Sequence, residues 1–196
     1  MKKYLVIGNP INHSLSPKLH NFWIKQNRID AIYDKAKLNL DQVENLISQV
    51  KSKRINGINV TVPFKNTIIP YVDQLSTEAE KTKSVNTIYL NNDKVIGHNT
   101  DIDGFEKAIN KINFKVSDKR IFILGAGGVV PSIIYALNKM GAFNIFISNR
   151  TKAKAQMVKD IFNNLSILDW GDVPEFDVII NATSLGLNKN DNIELD

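Results

Sequence analysis

The chain has no cysteine, three histidines and little arginine, and each shortage narrows what it can do. Without a thiol there is no disulfide, no thiolate nucleophile and no cysteine-based metal site. The histidines, His13, His20 and His98, fall at no metal-binding spacing, so a metal site is not expected. Ten glycines and six prolines in 196 residues exclude a fibrous or low-complexity protein. No apolar run approaches the roughly 18 residues of a membrane span. The opening Met1-Lys2-Lys3-Tyr4-Leu5-Val6-Ile7-Gly8 is broken at once by Asn9-Pro10. That is too short for a signal peptide and reads as a first strand of a cytoplasmic protein. What remains is average for a globular chain, 43% hydrophobic and 23% charged, with enough core for one large or two compact domains.

Basic residues number 25 against 20 acidic ones, a net charge of +5. The excess is lysine scattered among acidic and asparagine positions, without a block of five like charges, so no nucleic acid partner is expected. A mild positive field suits an anionic small substrate or a phosphorylated cofactor. Arginine is confined to Arg28, Arg54, Arg120 and Arg150, which makes each position informative.

The first half alternates short apolar runs with amphipathic stretches. Leu5 to Gly8 reads as a buried strand. Ser16-Pro17 supplies an N-cap and a first-turn proline for a helix carrying Leu19, Phe22 and Trp23 on one side. Ala31 to Leu38 is a second strand. Asp41 then caps a helix with Val43, Leu46, Ile47 and Val50 at helical spacing. Ile58 to Val62 is a strand stopped by Pro63. Ser84 to Leu90 and Lys94 to His98 flank a hairpin turn at Asn91-Asn92-Asp93.

The second half has another character. Arg120 to Leu124 is a continuous apolar strand running into Gly125-Ala126-Gly127-Gly128, and a helix follows from Val129, with Pro131 in its first turn and Gly141 as its stop. Asn144 to Ser148 is the next strand, Thr151 to Phe162 the next helix, and Asp177 to Asn181 a further strand. This is a βαβ mononucleotide-binding unit. The expected organisation is two α/β domains, residues 1–102 and 103–196, with a helix from about Asp103 crossing between them.

In the glycine loop the third position of the dinucleotide signature is Val130, so the string alone fails. Its place between strand and helix restores it. Gly125 allows the tight turn, and Gly127 lets backbone approach a pyrophosphate at the helix N-terminus. An NAD-binding chain normally presents Asp or Glu at the end of the second strand. Here stand Asn149-Arg150-Thr151, followed by Lys152 and Lys154. A guanidinium forks onto a 2′-phosphate, so the expected cofactor is NADP(H).

Polar clusters end the strands of the first half: Ser14-Leu15-Ser16, Asn59-Val60-Thr61 with Lys65, Asn86-Thr87, and Asn99-Thr100-Asp101. Each alone is ordinary turn and capping chemistry. Together, their hydroxyls, amides, one ammonium and one carboxylate suit a small polyhydroxylated acid.

These segments resemble the shikimate dehydrogenase family over essentially the whole chain. The match is carried by Gly8-Asn9-Pro10 with His13-Ser14-Leu15-Ser16-Pro17, Asn59-Val60-Thr61-Val62-Pro63-Phe64-Lys65 and Val85-Asn86-Thr87. It continues through Asn99-Thr100-Asp101, Gly125-Ala126-Gly127-Gly128, Asn149-Arg150-Thr151 and Asn181-Ala182-Thr183-Ser184-Leu185-Gly186. The resemblance implies an N-terminal α/β substrate domain, a Rossmann-like NADP-binding domain, and NADPH-dependent reduction of 3-dehydroshikimate to shikimate in aromatic amino-acid biosynthesis. It implies that Ser14 and Ser16 hold the substrate carboxylate, and that Asn59, Thr61, Lys65, Asn86, Thr100 and Asp101 hold the ring, with Lys65 as catalytic acid/base paired with Asp101. It assigns the cofactor to Gly125, Ala126, Gly127, Gly128, Val129, Asn149, Arg150, Thr151, Lys154, Thr183 and Ser184. Such an enzyme would be a monomer or homodimer. Members of the family continue with a Tyr-Asn-Pro segment, further strands and C-terminal helices. This sequence ends at Asp196 without them, so the expectation is a C-terminally incomplete cofactor domain and a chain inactive by itself. The rival readings are a quinate/shikimate dehydrogenase paralogue and a non-catalytic ligand-binding fragment; retention of both Lys65 and Asp101 argues against the second.

Overall fold

The computed structural model describes residues 1–186 and divides into two units, Met1–Thr100 and a second that opens at Asp101. The sequence puts this boundary near Ile102. The structure starts the helix two residues earlier, where Asp101 and Asp103 place carboxylates in the first turn, the favoured end of the helix dipole. The end of the expected second domain, 187–196, lies outside the described residues.

In the first unit, β1 (Lys2–Gly8) runs parallel to β2 (Ala31–Lys37) on one side and β3 (Gly57–Val60) on the other. The connections are α1 (Ser16–Gln26) and α2 (Val43–Lys51). α3 (Phe64–Thr67), β4 (Gln74–Leu75) and α4 (Thr77–Thr82) then lead to the hairpin β5 (Thr87–Asn91) and β6 (Lys94–His98). The six-stranded sheet has the order β2-β1-β3-β5-β6-β4, with β5 antiparallel to both neighbours. The stripe Val43, Leu46, Ile47 and Val50 is buried as its spacing predicts and shares a core with Ile7, Ile58, Val60 and Ile88. The hairpin turn is Asn92-Asp93, both at positive φ (47° and 58°), the two-residue form that follows the strand twist.

Three local expectations change, and one apolar stripe stays uncovered. Leu15, not Ser16, stands at the N-cap of α1, because Ser16 and Pro17 are already helical; the Ser14 hydroxyl accepts from the Ser16 amide at 3.4 Å. Leu19, Phe22 and Trp23 stay 47–57% exposed, and α1 buries none of its residues. Asn39, not Asp41, caps the next helical segment: with Gln42 it forms a reciprocal capping box on a 3₁₀ turn, Leu40–Gln42, that feeds α2. β3 ends at Val60, since the Thr61 carbonyl accepts from the Phe64 amide and turns the chain into α3.

Asp73 ties three segments of this unit together. Its carboxylate takes an ion pair from Lys51 at 2.9 Å and the Val95 amide at 2.7 Å. The Lys51 contact and then the amide hold the Asp73 carboxyl below the usual carboxylate range. A depressed folded-state pKa adds stability above the unfolded value and loses it as pH falls through the folded one. Wild type should therefore melt higher than Asp73→Asn near neutral pH, and the gap should close below about pH 3. A gap unchanged by acid would show that the carboxylate charge is not what matters.

The second unit runs α5 (Asp101–Lys111), β7 (Arg120–Leu124), α6 (Val130–Lys139), β8 (Asn144–Ser148), α7 (Lys152–Lys159), β9 (Leu165–Leu168) and β10 (Val178–Asn181). All four strands are parallel, in the order β10-β7-β8-β9. Ile121, Ile123, Ile145 and Ile147 form its core with Ile134 and Leu137 of α6. Strand β9 is not evident in the sequence, being four residues long with only Leu165 fully buried. α7 ends at Lys159, short of the expected Phe162, which buries its ring beyond the helix. Gly141 (φ 84°) ends α6 as expected. Arg120 clamps β10 to β7: its backbone amide and guanidinium both donate to Asp177. Among the described residues no helix is long and apolar enough to cross a membrane, and no group of three or more acidic or histidine side chains converges as a metal site.

Candidate active site

Three of the polar segments, around Asn59, Asn86 and Thr100, meet at β3, β5 and the end of β6. Across the sheet Asn59 stands opposite Thr87, and Thr87 opposite His98, so the three share a face. The Asn59 amide donates to the Thr87 hydroxyl at 3.2 Å and to the Asn86 carbonyl at 3.4 Å. Its oxygen accepts from the Tyr33 hydroxyl at 2.6 Å. Thr87 donates in turn to the Asn86 side-chain oxygen at 3.0 Å. That oxygen also takes the Thr100 amide at 2.9 Å, while the Asn86 amide meets the Thr100 hydroxyl at 2.9 Å. Asn86 is buried, and so is Asn99, which donates to Thr82 and to the Ser84 carbonyl. The sequence places Asn59, Asn86 and Thr100 together, and the structure does bring them into one network. It gives Asn59 a wall-building part, because both ends of its carboxamide have partners inside the wall.

Lys65 follows on α3 and is 9% exposed, the only buried charged side chain among the described residues. Val85 donates its amide to the Lys65 carbonyl, fixing α3 against the segment that leads through Asn86 into β5. Thr61 sits before it, its methyl packed on Gly8, where an added Cβ would lie 2.7 Å away. Ser14 and Ser16 lie at the N-terminus of α1, an end whose free amides favour an anion. Asp101 opens α5 in the second unit. His98, whose Nδ1 is buried without a hydrogen-bond partner, and Tyr33 are members of this wall that the motifs alone do not single out. Thr87 stands in the Asn86-Thr87 cluster but was given no role of its own; Tyr33 carries no local signal.

In the second unit the strand order reverses direction at β7, between β8 on one side and β10 on the other, which is where an open α/β sheet binds its ligand. The glycine loop leaves β7 at this point. Gly125 has φ 106°, and a Cβ there would lie 2.9 Å from the Ala182 carbonyl group. A Cβ on Gly127 would meet nothing nearer than 4.0 Å, so its backbone is open to an incoming group. The residues fit a dinucleotide: one glycine is required by close packing and a second leaves room for phosphate. Val129 holds the N-cap position of α6, one residue before the helix proper. Thr183 and Ser184 follow β10 beside Gly125 in a turn wired by side chains. The Thr183 hydroxyl donates to Asn181 at 2.7 Å and accepts from the Leu185 amide at 3.0 Å.

Past β8, Asn149 braces this loop. Its oxygen accepts from the Ala126 amide at 3.1 Å and its nitrogen donates to the Thr151 carbonyl at 2.8 Å. Arg150, Thr151 and Lys154 are exposed at the start of α7. Lys152 is engaged in a 2.6 Å ion pair with Asp169 at the end of β9, and that contact raises its pKa. Lys152 is thus already engaged by a carboxylate, whereas Arg150 stands exposed beside it.

Comparison with known proteins gives two adjoining matches. The profile of the shikimate dehydrogenase substrate binding domain matches residues 6–88, and that of shikimate / quinate 5-dehydrogenase matches residues 106–188. A shikimate dehydrogenase (NADP(+)) of Pelagibacter ubique is 52% identical over 194 residues, covering 99% of this chain and 73% of that protein. The crystal structure of shikimate dehydrogenase from Aquifex aeolicus superposes with a TM-score of 0.89 at 38% identity, over 98% of this chain and 72% of the other. A Thermus thermophilus shikimate 5-dehydrogenase, solved with NADP(H) and shikimate, gives a TM-score of 0.85 at 28% identity, covering 95% and 70%.

Proposed function

The chain belongs to the shikimate dehydrogenase family, and from that premise we propose that it reduces 3-dehydroshikimate to shikimate with NADPH, in the cytoplasm and on the route to aromatic amino acids. The buried Lys65 ammonium carries the chemical part of this reading. Bound NADPH supplies a hydride to the carbonyl carbon. The oxygen then gains negative charge and needs a proton donor within hydrogen-bond reach. Lys65 gives that proton from its ammonium and stabilises the oxyanion while the charge develops. Asp101, at the head of α5, is assigned as the second acid–base group of the reaction. Ser14 and Ser16, with the amides at the head of α1, hold the substrate carboxylate. Asn86, Thr100 and Thr61 hold the ring hydroxyls, with Asn59 behind them.

On the cofactor side, the loop Gly125, Ala126, Gly127 and Gly128, with Val129, receives the pyrophosphate. Arg150 takes the 2′-phosphate with Thr151 and Lys154. Thr183 and Ser184 line the nicotinamide end at the switch point.

The test is direct. Extended at its C-terminus by the segments its relatives carry, the purified protein should oxidise NADPH in the presence of 3-dehydroshikimate, and in reverse should turn over shikimate faster than quinate with NADP⁺. Absence of turnover in both directions would overturn the proposal, and a preference for quinate would replace its substrate by the acid with the extra hydroxyl.

A further inference from the structure

We propose that Tyr33 is a positioning residue of the substrate site: its hydroxyl holds the Asn59 carboxamide inside the wall and thereby fixes the Asn86 and Thr100 groups that face the ring. The inference rests on the substrate reading above and extends it to a residue outside every motif.

Tyr33 lies on β2, yet it reaches Asn59 on β3 across the intervening β1, at 2.6 Å. It is 5% exposed, and a buried phenol requires a partner for its hydroxyl. Three contacts hold it in place. The Asn21 side chain from α1 clamps its backbone on both sides, donating to the Tyr33 carbonyl at 2.7 Å and accepting from its amide at 3.0 Å. The His20 ring stacks on the phenol, with centroids 4.2 Å apart and planes 6° from parallel. α1 thus contributes two neighbouring polar side chains to aim a single hydroxyl. Burial pushes the phenol pKa up to about 12, so the group stays a neutral donor across the working pH range.

The donor has a defined task. The Asn59 nitrogen is committed to the Asn86 carbonyl and the Thr87 hydroxyl, so its oxygen must face Tyr33. With its lone pair so engaged, Thr87 donates onward to the Asn86 oxygen. The far end is anchored by the Thr100 amide, which can only donate, to that same oxygen. Donor and acceptor directions therefore run without conflict from Tyr33 to Thr100, and networks of this kind respond as a unit. Without the phenolic oxygen, Asn59 is left with an unsatisfied half-buried carbonyl and turns outward to find a partner. The wall then presents an extra acceptor and a looser Asn86.

Tyr33→Phe removes only that oxygen. Shikimate affinity, measured by calorimetry in the intact protein, should weaken about three- to tenfold, the range of one net hydrogen bond. Affinity for NADP⁺ should stay unchanged, the melting temperature should move by no more than a few degrees, and kcat should change less than KM for shikimate. In an Asn59→Ala background the same substitution should have no further effect. His20→Ala, which keeps the hydroxyl but frees the ring, should shift shikimate affinity in the same direction by less, and serves if Tyr33→Phe folds poorly. Unchanged shikimate affinity in Tyr33→Phe, or parallel weakening of both ligands, overturns the proposal. Failure of the wild type to bind shikimate overturns the substrate reading instead.

Discussion

Replacing Lys65 by methionine should lower kcat by about 10²- to 10⁴-fold, the usual contribution of general acid–base catalysis. Methionine keeps the length and apolar body of the stem in a 9% exposed position and removes only the ammonium. The change is therefore chemical before it is structural, and the melting temperature should stay near that of wild type. Without the ammonium, the carbonyl oxygen acquires charge with no donor positioned to neutralise it, and the barrier rises in the transition state only. KM for 3-dehydroshikimate should move much less than kcat, which is the signature of an interaction made mainly in the transition state. Binding of NADPH, measured by its fluorescence, should be unaffected. If kcat holds while KM rises, Lys65 is a binding residue and the proton comes from elsewhere.

What the sequence made legible follows how local each signal is. The stripe Val43, Leu46, Ile47 and Val50 could be read because one helix face is buried and the other wet. The run Ile121 to Leu124 into Gly125 could be read because a parallel strand buried on both faces is continuously apolar and the turn after it needs φ above zero. Contacts made across strands were invisible. Tyr33 meets Asn59 only because β2, β1 and β3 lie side by side, and nothing in Ala31 to Lys37 announces it. Asn149 was assigned to the cofactor, but its bonds to Ala126 and Thr151 give it a share in shaping the loop, a role that spacing does not carry. The apolar side of α1 was legible as a stripe, yet Phe22 and Trp23 remain about half exposed, since the helix attaches to β2 through Asn21 instead. Periodicity records which side chains are apolar and leaves open what covers them.

Arg150→Ala should weaken NADPH by roughly ten- to a hundredfold, about 1.5–3 kcal/mol for a hydrogen bond to a charged group, and leave NADH nearly unchanged. The contrast between the two cofactors is the point, since they differ only in the 2′-phosphate. Arg150 is exposed at the end of β8, at the slot where an NAD-specific fold carries a carboxylate. Of the other cations nearby, Lys152 is held by Asp169 at 2.6 Å and is less available to a ligand. Lys154, two residues further on, is exposed. Lys154→Ala should accordingly weaken NADPH less than Arg150→Ala, because a point charge on a flexible stem cannot reproduce the two-pronged guanidinium contact. Screening sharpens the test: the advantage of NADPH over NADH should shrink as salt is raised in wild type, and should respond far less to salt in the Arg150 variant. Asn149→Ala is the internal control. It removes the brace between the Ala126 amide and the Thr151 carbonyl, a feature of the loop common to both cofactors, so it should weaken NADPH and NADH together. Equal losses of the two cofactors in Arg150→Ala would place its action on the loop as well, and the 2′-phosphate assignment would fall.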